Sequence, residues 1–377
     1  MSKKTPRPAR KCLDVISPSR YISHVHVRGS RLVTAKIHAR FVGKSGVFVE
    51  GDCLDVLANM RQNTVDLVFL DPPFNIGKTY DRAVVEDDFG PEIYKGLCRT
   101  WILESIRVLR PGGALFIYHL PRFLIDLGAW LNSIHLVKYK AWIALKMKSG
   151  FPIRGRLHPA PYGLLYYIKT GGEPTFNVVR QRSPKCRNCK ELIRDYGGYL
   201  GKYSKYQDGG DLWVQISDFW DDTRPASHDK LRATRMNELP LQIPERAILL
   251  ASKAGDVVLD CFAGGGSTLQ TAEQSGRKWI GIDMASYKSS LQRIKTFLDS
   301  KETSLPSRRL LECFKPEFVR AALTVKPRAP SRPIKRTSPL KNKSGDRFRS
   351  KSRIFSFKSV GKQRNGAENK KLDRNHG

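Results

Sequence analysis

Residues 65–75 read Val65-Asp66-Leu67-Val68-Phe69-Leu70-Asp71-Pro72-Pro73-Phe74-Asn75. The nearly continuous apolar run over 65–70 is what a strand buried on both faces of a sheet requires. The prolines end it, because proline fixes its own φ and offers no donor to a ladder. A second strand and turn follow far downstream: Val257-Val258-Leu259-Asp260-Cys261-Phe262-Ala263-Gly264-Gly265-Gly266-Ser267-Thr268. Gly264 and Gly266 let the backbone approach a ligand closely and turn into a helix at Ser267.

The segments around these two stretches alternate. Val47–Asp52 reads as a short strand and turn, and Leu54–Met60 as the start of a helix. Residues 91–109 carry helical spacing through Ile93, Leu97, Trp101, Ile102, Ser105, Val108 and Leu109, with Pro111-Gly112-Gly113 as the stop. Residues 114–118 read as a strand, 243–250 as a helix, 257–260 as a strand, 267–275 as a helix and 279–283 as a strand. Strands alternating with helices predict a parallel, doubly wound α/β sheet. The expected organisation is a basic arm over 1–45, one half of the α/β domain over 46–170, a loop-rich lobe over 171–235, the other half over 236–300, a helical extension over 301–325 and a tail over 326–377.

The 377 residues carry a formal net charge of +32, with 40% hydrophobic residues. The composition supports a real core, and the charge calls for a polyanionic partner, nucleic acid rather than membrane. No apolar run approaches the roughly 18 residues of a membrane helix. Met1-Ser2-Lys3-Lys4-Thr5-Pro6-Arg7 is charged without a following apolar segment, unlike a secretory signal. Seven scattered cysteines fit a reducing cytoplasm. The tail holds seventeen Lys/Arg against three Asp/Glu, a net of +14, with few large apolar side chains, and is expected to be disordered.

The two turns suggest complementary chemistry. The amino group of a nucleobase is a poor nucleophile because its lone pair is delocalised into the ring. Acceptors that take its two N–H bonds favour a pyramidal nitrogen. Asp71 offers a carboxylate, the Pro72 carbonyl a second acceptor, Pro73 stiffness, and Phe74 a flat face for stacking. At the other turn, Asp283 lies 17 residues after Gly266 at the end of the next strand. That spacing suits a carboxylate gripping ribose hydroxyls. Residues 264–268 lack the Gly-Lys-Ser/Thr of a phosphate loop.

These residues resemble the DNA amino-methyltransferases, which use S-adenosylmethionine to methylate adenine N6 or cytosine N4. The resemblance spans roughly residues 46–300. Asp71-Pro72-Pro73-Phe74 is similar to the family's catalytic motif. Residues 260–268 are similar to its cofactor motif, with Cys261 in place of the usual Pro and Ser267 in place of the first Thr. Gly51-Asp52-Cys53-Leu54 resembles the segment beside the cofactor adenine, and residues 237–242 resemble the segment before the cofactor strand without its Lys.

With the catalytic motif first, the order resembles the family's beta class. It implies a circularly permuted Rossmann-like sheet and a target-recognition lobe between the halves. The resemblance places Asp71, Pro72, Pro73 and Phe74 at the base. It places Asp52, Asp260, Phe262, Gly264, Gly266 and Asp283 around S-adenosylmethionine. It implies double-stranded DNA as substrate, flipping of the target base, and a cytoplasmic, nucleoid-associated enzyme, and it leaves open a homodimer and a restriction endonuclease partner. Asp at the head of the tetrapeptide favours adenine, with cytosine N4 the alternative. A non-catalytic DNA-binding protein that keeps the fold is the competing class, disfavoured by the intact Asp71, Gly264 and Gly266.

Two further signals are weaker. Cys186-Arg187-Asn188-Cys189 is a single pair, and zinc needs four ligands; His158 and His228 are the candidate partners, but packing thiols are the simpler reading. No metal is expected. Arg180, Arg182, Lys185, Arg187, Lys190 and Arg194, interleaved with Tyr196, Tyr199, Tyr203 and Tyr206, suit phosphate and base-edge contacts in the lobe. His119, after the 114–118 strand, reads as a packed histidine with no assigned role.

Overall fold

The computed structural model describes residues 37–77, 88–146, 154–155, 161–182, 207–208, 211–223, 239–284, 290, 292–293, 296 and 305–323. The chain divides into two units, Met1–Lys326 and Pro327–Gly377. The second unit, the expected basic tail, lies outside the described residues, as do Cys186, Cys189, His158, His228 and residues 1–36.

The strands are β1 (His38–Val42), β2 (Gly46–Glu50), β3 (Val65–Leu70), β4 (Leu109–His119), β5 (Val137–Lys146), β6 (Pro161–Lys169), β7 (Arg180–Arg182), β8 (Gln207–Asp208), β9 (Asp211–Gln215), β10 (Phe219–Trp220), β11 (Val257–Asp260) and β12 (Lys278–Asp283). Nine form one sheet in the order β1-β2-β12-β11-β3-β4-β6-β5-β10. From β2 to β4 all neighbours run parallel, while β1 and β6 are antiparallel to their neighbours. This is a Rossmann-like doubly wound sheet. It is circularly permuted, because β11, which carries the Gly-rich turn, joins the centre of the sheet late in the chain.

The helices are α1 (Cys53–Ala58), α2 (Pro91–Val108), α3 (Pro121–Ser133), α4 (Gln242–Ala251), α5 (Ser267–Gln274), α6 (Arg308–Leu311) and α7 (Pro316–Phe318), followed by a π turn, Val319–Leu323. One face of the sheet packs Val68, Leu70, Leu115, Ile117 and Leu259 under α1, α2, α3 and the 310–323 segment. The other packs Phe69, Phe116, Val258 and Trp279 under α4 and α5. Fully burying a side chain of this size contributes about 1.5–3 kcal/mol, which is why β3 has no polar face. Its one charge, Asp66, is 4% exposed and fully used. It accepts from Arg110 Nε at 2.6 Å, Arg309 Nη2 at 3.0 Å and the Val257 N–H at 2.8 Å.

Several details differ from the sequence expectations. The stretch expected as an arm ends in the edge strand β1. Helix α2 turns Tyr94, Cys98, Ile102 and Ile106 inward, one turn apart, and leaves Ile93 55% exposed, so the buried stripe starts one residue later than read. Pro111-Gly112-Gly113 does not separate two elements. It is an excursion within β4, whose pairing steps from Val65↔Leu109 to Leu67↔Ala114. In the expected loop-rich lobe, β7, β9 and β8 form a small antiparallel sheet, and β10 joins the main sheet beside β5.

Candidate active site at the carboxyl edge of the sheet

Five neighbouring parallel strands end together: β2 runs into Gly51-Asp52, β12 ends at Asp283, β11 at Asp260, β3 runs into Asp71, and β4 ends at His119. Ligands of open α/β sheets bind at such an edge. The fold thus gathers Asp52, Asp71, Asp260 and Asp283, which are dispersed in sequence.

The Gly-rich turn is built by backbone bonds. The Phe262 N–H donates to Asp260 Oδ1 at 2.9 Å, the Ala263 N–H to the Ile282 carbonyl at 2.9 Å, and the Gly264 N–H to Asp283 Oδ2 at 2.8 Å. Gly264 (φ 47°) and Gly266 (φ 79°) both lie in the left-handed region, but they face different surroundings. A Cβ on Gly266 would come within 3.2 Å of Ser290 Cα, whereas on Gly264 the nearest atom would be the Phe262 carbonyl oxygen at 3.7 Å. Gly264 thus presents bare backbone to open space, while the Cα of Gly266 faces Ser290. Ser290 also donates its hydroxyl to the Gly264 carbonyl.

Asp260 is 2% exposed. Burial pushes its carboxyl up to about 7, against the lowering effects of the Thr268 hydroxyl and the Phe262 N–H. Asp52 caps α1, accepting from the Leu54 N–H at 2.8 Å, and burial raises its carboxyl above the usual range. Cys261, in place of the usual proline, is a buried thiol 3.9 Å from Ser105 Oγ, and burial pushes it well above the usual thiol range.

The Asp71–Asn75 turn is held from beneath. Asn75 (φ 52°) bonds both polar groups of Phe89, donating to its carbonyl at 2.8 Å and accepting its N–H at 2.7 Å. Phe74 stacks on His119 at 5.0 Å and meets Tyr118 at 5.8 Å and Tyr162 at 5.9 Å. Tyr118 and Tyr162 are stacked at 5.5 Å, and both phenols are pushed up, first by burial and then by the Asp71 charge. Asp71 thus sits beside an aromatic wall. Pro72 and Phe262 line one small apolar crevice with Leu70, Cys98, Trp101, Ile102, Ile117 and Leu127, and Trp101 packs its edge on Phe262 at 5.0 Å. The two turns therefore meet.

The sequence alone singles out none of Tyr94, Tyr118 and Tyr162 and gives His119 no role. Tyr94 is hidden beside the apolar spacing that runs through Ile93. His119 could have been found from register: with Leu70 opposite Ile117, the last residue of β4 lies level with the proline turn.

The DNA methylase family model, which covers the N6 and N4 enzymes, matches residues 65–292. The type II methyltransferase M.BamHI of Bacillus amyloliquefaciens is 38% identical over 260 residues, 69% of this chain. The chain spans 59% of that protein's length. The DNA adenine methyltransferase YhdJ of Escherichia coli (strain K12) is 27% identical over 267 residues, 68% of this chain and 84% of YhdJ. Among solved structures, the PvuII DNA methyltransferase (cytosine-N4-specific) aligns with a TM-score of 0.48 at 17% identity, covering 71% of this chain and 91% of that one.

Proposed function

The chain belongs to the N6/N4 DNA methylase family, and from that premise we propose that it transfers a methyl group from S-adenosylmethionine to the exocyclic amino group of a base in duplex DNA. The observation that supports this reading is the convergence of the two turns at one edge of the sheet: β3 runs into Asp71-Pro72 and its neighbour β11 into the Gly264 turn, and Pro72 and Phe262 line one apolar crevice between them.

The residues fit the cofactor. Gly264 offers an open cradle that a Cβ would fill, Asp283 lies at the adjoining strand end for ribose hydroxyls, Asp52 lies beside it for the adenine, and Phe262 supplies an apolar wall. When bound, S-adenosylmethionine supplies an electrophilic methyl group on a sulfonium. The protein's own part is positioning and electrostatics. The target base leaves the duplex and stacks against Phe74, with Tyr162 and Tyr118 closing the aromatic wall. Asp71 and the Pro72 carbonyl accept the two amino hydrogens. That arrangement turns the nitrogen lone pair out of the ring and localises it for attack, with no covalent bond to the enzyme. The 171–235 lobe reads the sequence, and the tail adds phosphate contacts.

Transfer of labelled methyl from S-adenosylmethionine to mixed-sequence DNA, followed by digestion to nucleosides, tests the proposal. The expected product is a methylamino nucleoside. Asp at the head of the tetrapeptide favours N6-methyl-2′-deoxyadenosine, and an N4-methyl-2′-deoxycytidine product would replace adenine with cytosine. DNA binding without transfer would establish the non-catalytic reading instead.

A further inference from the structure

We propose that Tyr94 and His119 are positioning residues that set the catalytic turn, holding the Pro73 carbonyl away from the base so that Asp71 and the Pro72 carbonyl face it. The inference rests on the methyltransferase reading above.

The argument begins with donors and acceptors. Two consecutive prolines leave the turn three carbonyls, on Asp71, Pro72 and Pro73, and few N–H groups to anchor it. An anchor must come from outside the turn. The Tyr94 hydroxyl donates to the Pro73 carbonyl from α2. Tyr94 is fully buried, so this bond is shielded from competing water. A phenol has one proton to give, and its direction is fixed by what its lone pairs receive.

His119 supplies that constraint. The Leu120 N–H donates to His119 Nδ1 at 2.7 Å, so Nδ1 carries no proton. The proton of the neutral ring is then on Nε2, which lies 2.6 Å from the Tyr94 oxygen and donates to it. Every donor is matched, from His119 Nε2–H to the Tyr94 oxygen and from the Tyr94 hydroxyl to the Pro73 carbonyl. The ring is 0% exposed, and burial with Arg122 nearby holds it neutral, its pKa lowered to about 3. A second proton on Nδ1 would collide with the Leu120 N–H and undo the relay.

The same imidazole also supports the next residue, since Phe74 stacks on it at 5.0 Å and 29°. One neutral ring thus fixes both flanks of the site: the carbonyl that must be kept aside, through Tyr94, and the aromatic face meant for the base, through stacking. Among the described residues no hydrogen bond reaches the Pro72 carbonyl. The turn is pinned one residue past the acceptor that the reaction uses.

The test compares full-length wild type with Tyr94→Phe, His119→Gln and His119→Asn in single-turnover methyl transfer, together with calorimetric affinity for S-adenosylmethionine, KM for DNA and thermal melting. Displacing reacting groups by about 1 Å costs on the order of 100-fold. Tyr94→Phe is therefore expected to lower kcat by about 10- to 100-fold while both affinities stay within about twofold. The glutamine amide can stand in for the Nε2–H donor. The asparagine amide reaches only the Nδ1 position, so His119→Gln should recover kcat that His119→Asn does not. Wild-type turnover in Tyr94→Phe overturns the proposal. So does a kcat that follows melting temperature equally in all three variants, which marks a structural role.

Nitrogen NMR of the His119 ring, assigned by its loss in His119→Gln, is independent of activity. A neutral Nε2–H tautomer through mildly acid pH supports the relay, and a charged ring or an Nδ1–H tautomer overturns it. A wild-type protein that transfers no methyl overturns the function reading, and the tautomer then decides the relay separately.

Discussion

Alanine at Gly264 and alanine at Gly266 should separate cofactor contact from turn geometry. Both positions have left-handed φ, 47° and 79°, which costs an L residue about 1–2 kcal/mol. For a domain of this size that lowers the melting temperature by about 2–8 °C. At Gly266 the new methyl also meets Ser290 Cα at 3.2 Å, so the loss there should be the larger. At Gly264 the nearest atom is at 3.7 Å, an ordinary contact, and the methyl points into space that the folded chain leaves open. If the nucleoside lies against that backbone, Gly264→Ala should weaken S-adenosylmethionine by at least about tenfold, the equivalent of 1.4 kcal/mol. Gly266→Ala should bind nearly as wild type while melting lower. Paired calorimetric titrations and melting curves provide the measurement. An unchanged Kd in a folded Gly264→Ala protein, or equal affinity losses in both variants, would refute this placement of the cofactor.

Three other outcomes are expected. Asp71→Ala should abolish methyl transfer with cofactor affinity nearly intact, and near wild-type turnover would remove Asp71 from the chemistry. Asp260 has a native pKa raised to about 7 against an unfolded value near 3.9; its stabilising contribution is therefore complete below about pH 4 and is lost as pH rises through 7. Asp260→Asn should then melt higher than wild type by a margin that grows over that window, up to about 4 kcal/mol, and a margin independent of pH counts against a buried ionising carboxyl. Deleting 326–377 should flatten the dependence of log DNA affinity on log salt without changing the methylated sequence; identical slopes would leave the tail only a solubility role.

The sheet was legible in the sequence because a strand buried on both faces is apolar along its length, as in 65–70 and 257–259. The two turns were legible because proline and glycine each signal a backbone requirement. What was hidden depended on partners. Asp66 looks out of place in an apolar strand until Arg110, Arg309 and Val257 arrive from distant segments. Tyr94 is one residue from the stripe that periodicity selected, and helix rotation, not composition, decides that difference. Gly266 reads like Gly264 in sequence, and only the approach of Ser290 distinguishes them. His119 carries no motif, and its importance comes from register with β3.

The seating of β11 between β3 and β12 also has a consequence for the newborn chain. The Val257 N–H and the Asp66 carboxylate are bonded across 191 positions of sequence. A ribosome adding about 5–20 residues per second needs about 10–40 s to make the intervening segment. Throughout that interval β3 has emerged with one side lacking its neighbour, an apolar edge open to wrong pairing. The centre of the sheet is therefore completed late, when β11 and then β12 fill the gap between β3 and β2. A translation pause, or a chaperone acting near residue 250, would change the yield of active protein without altering any contact in the finished fold.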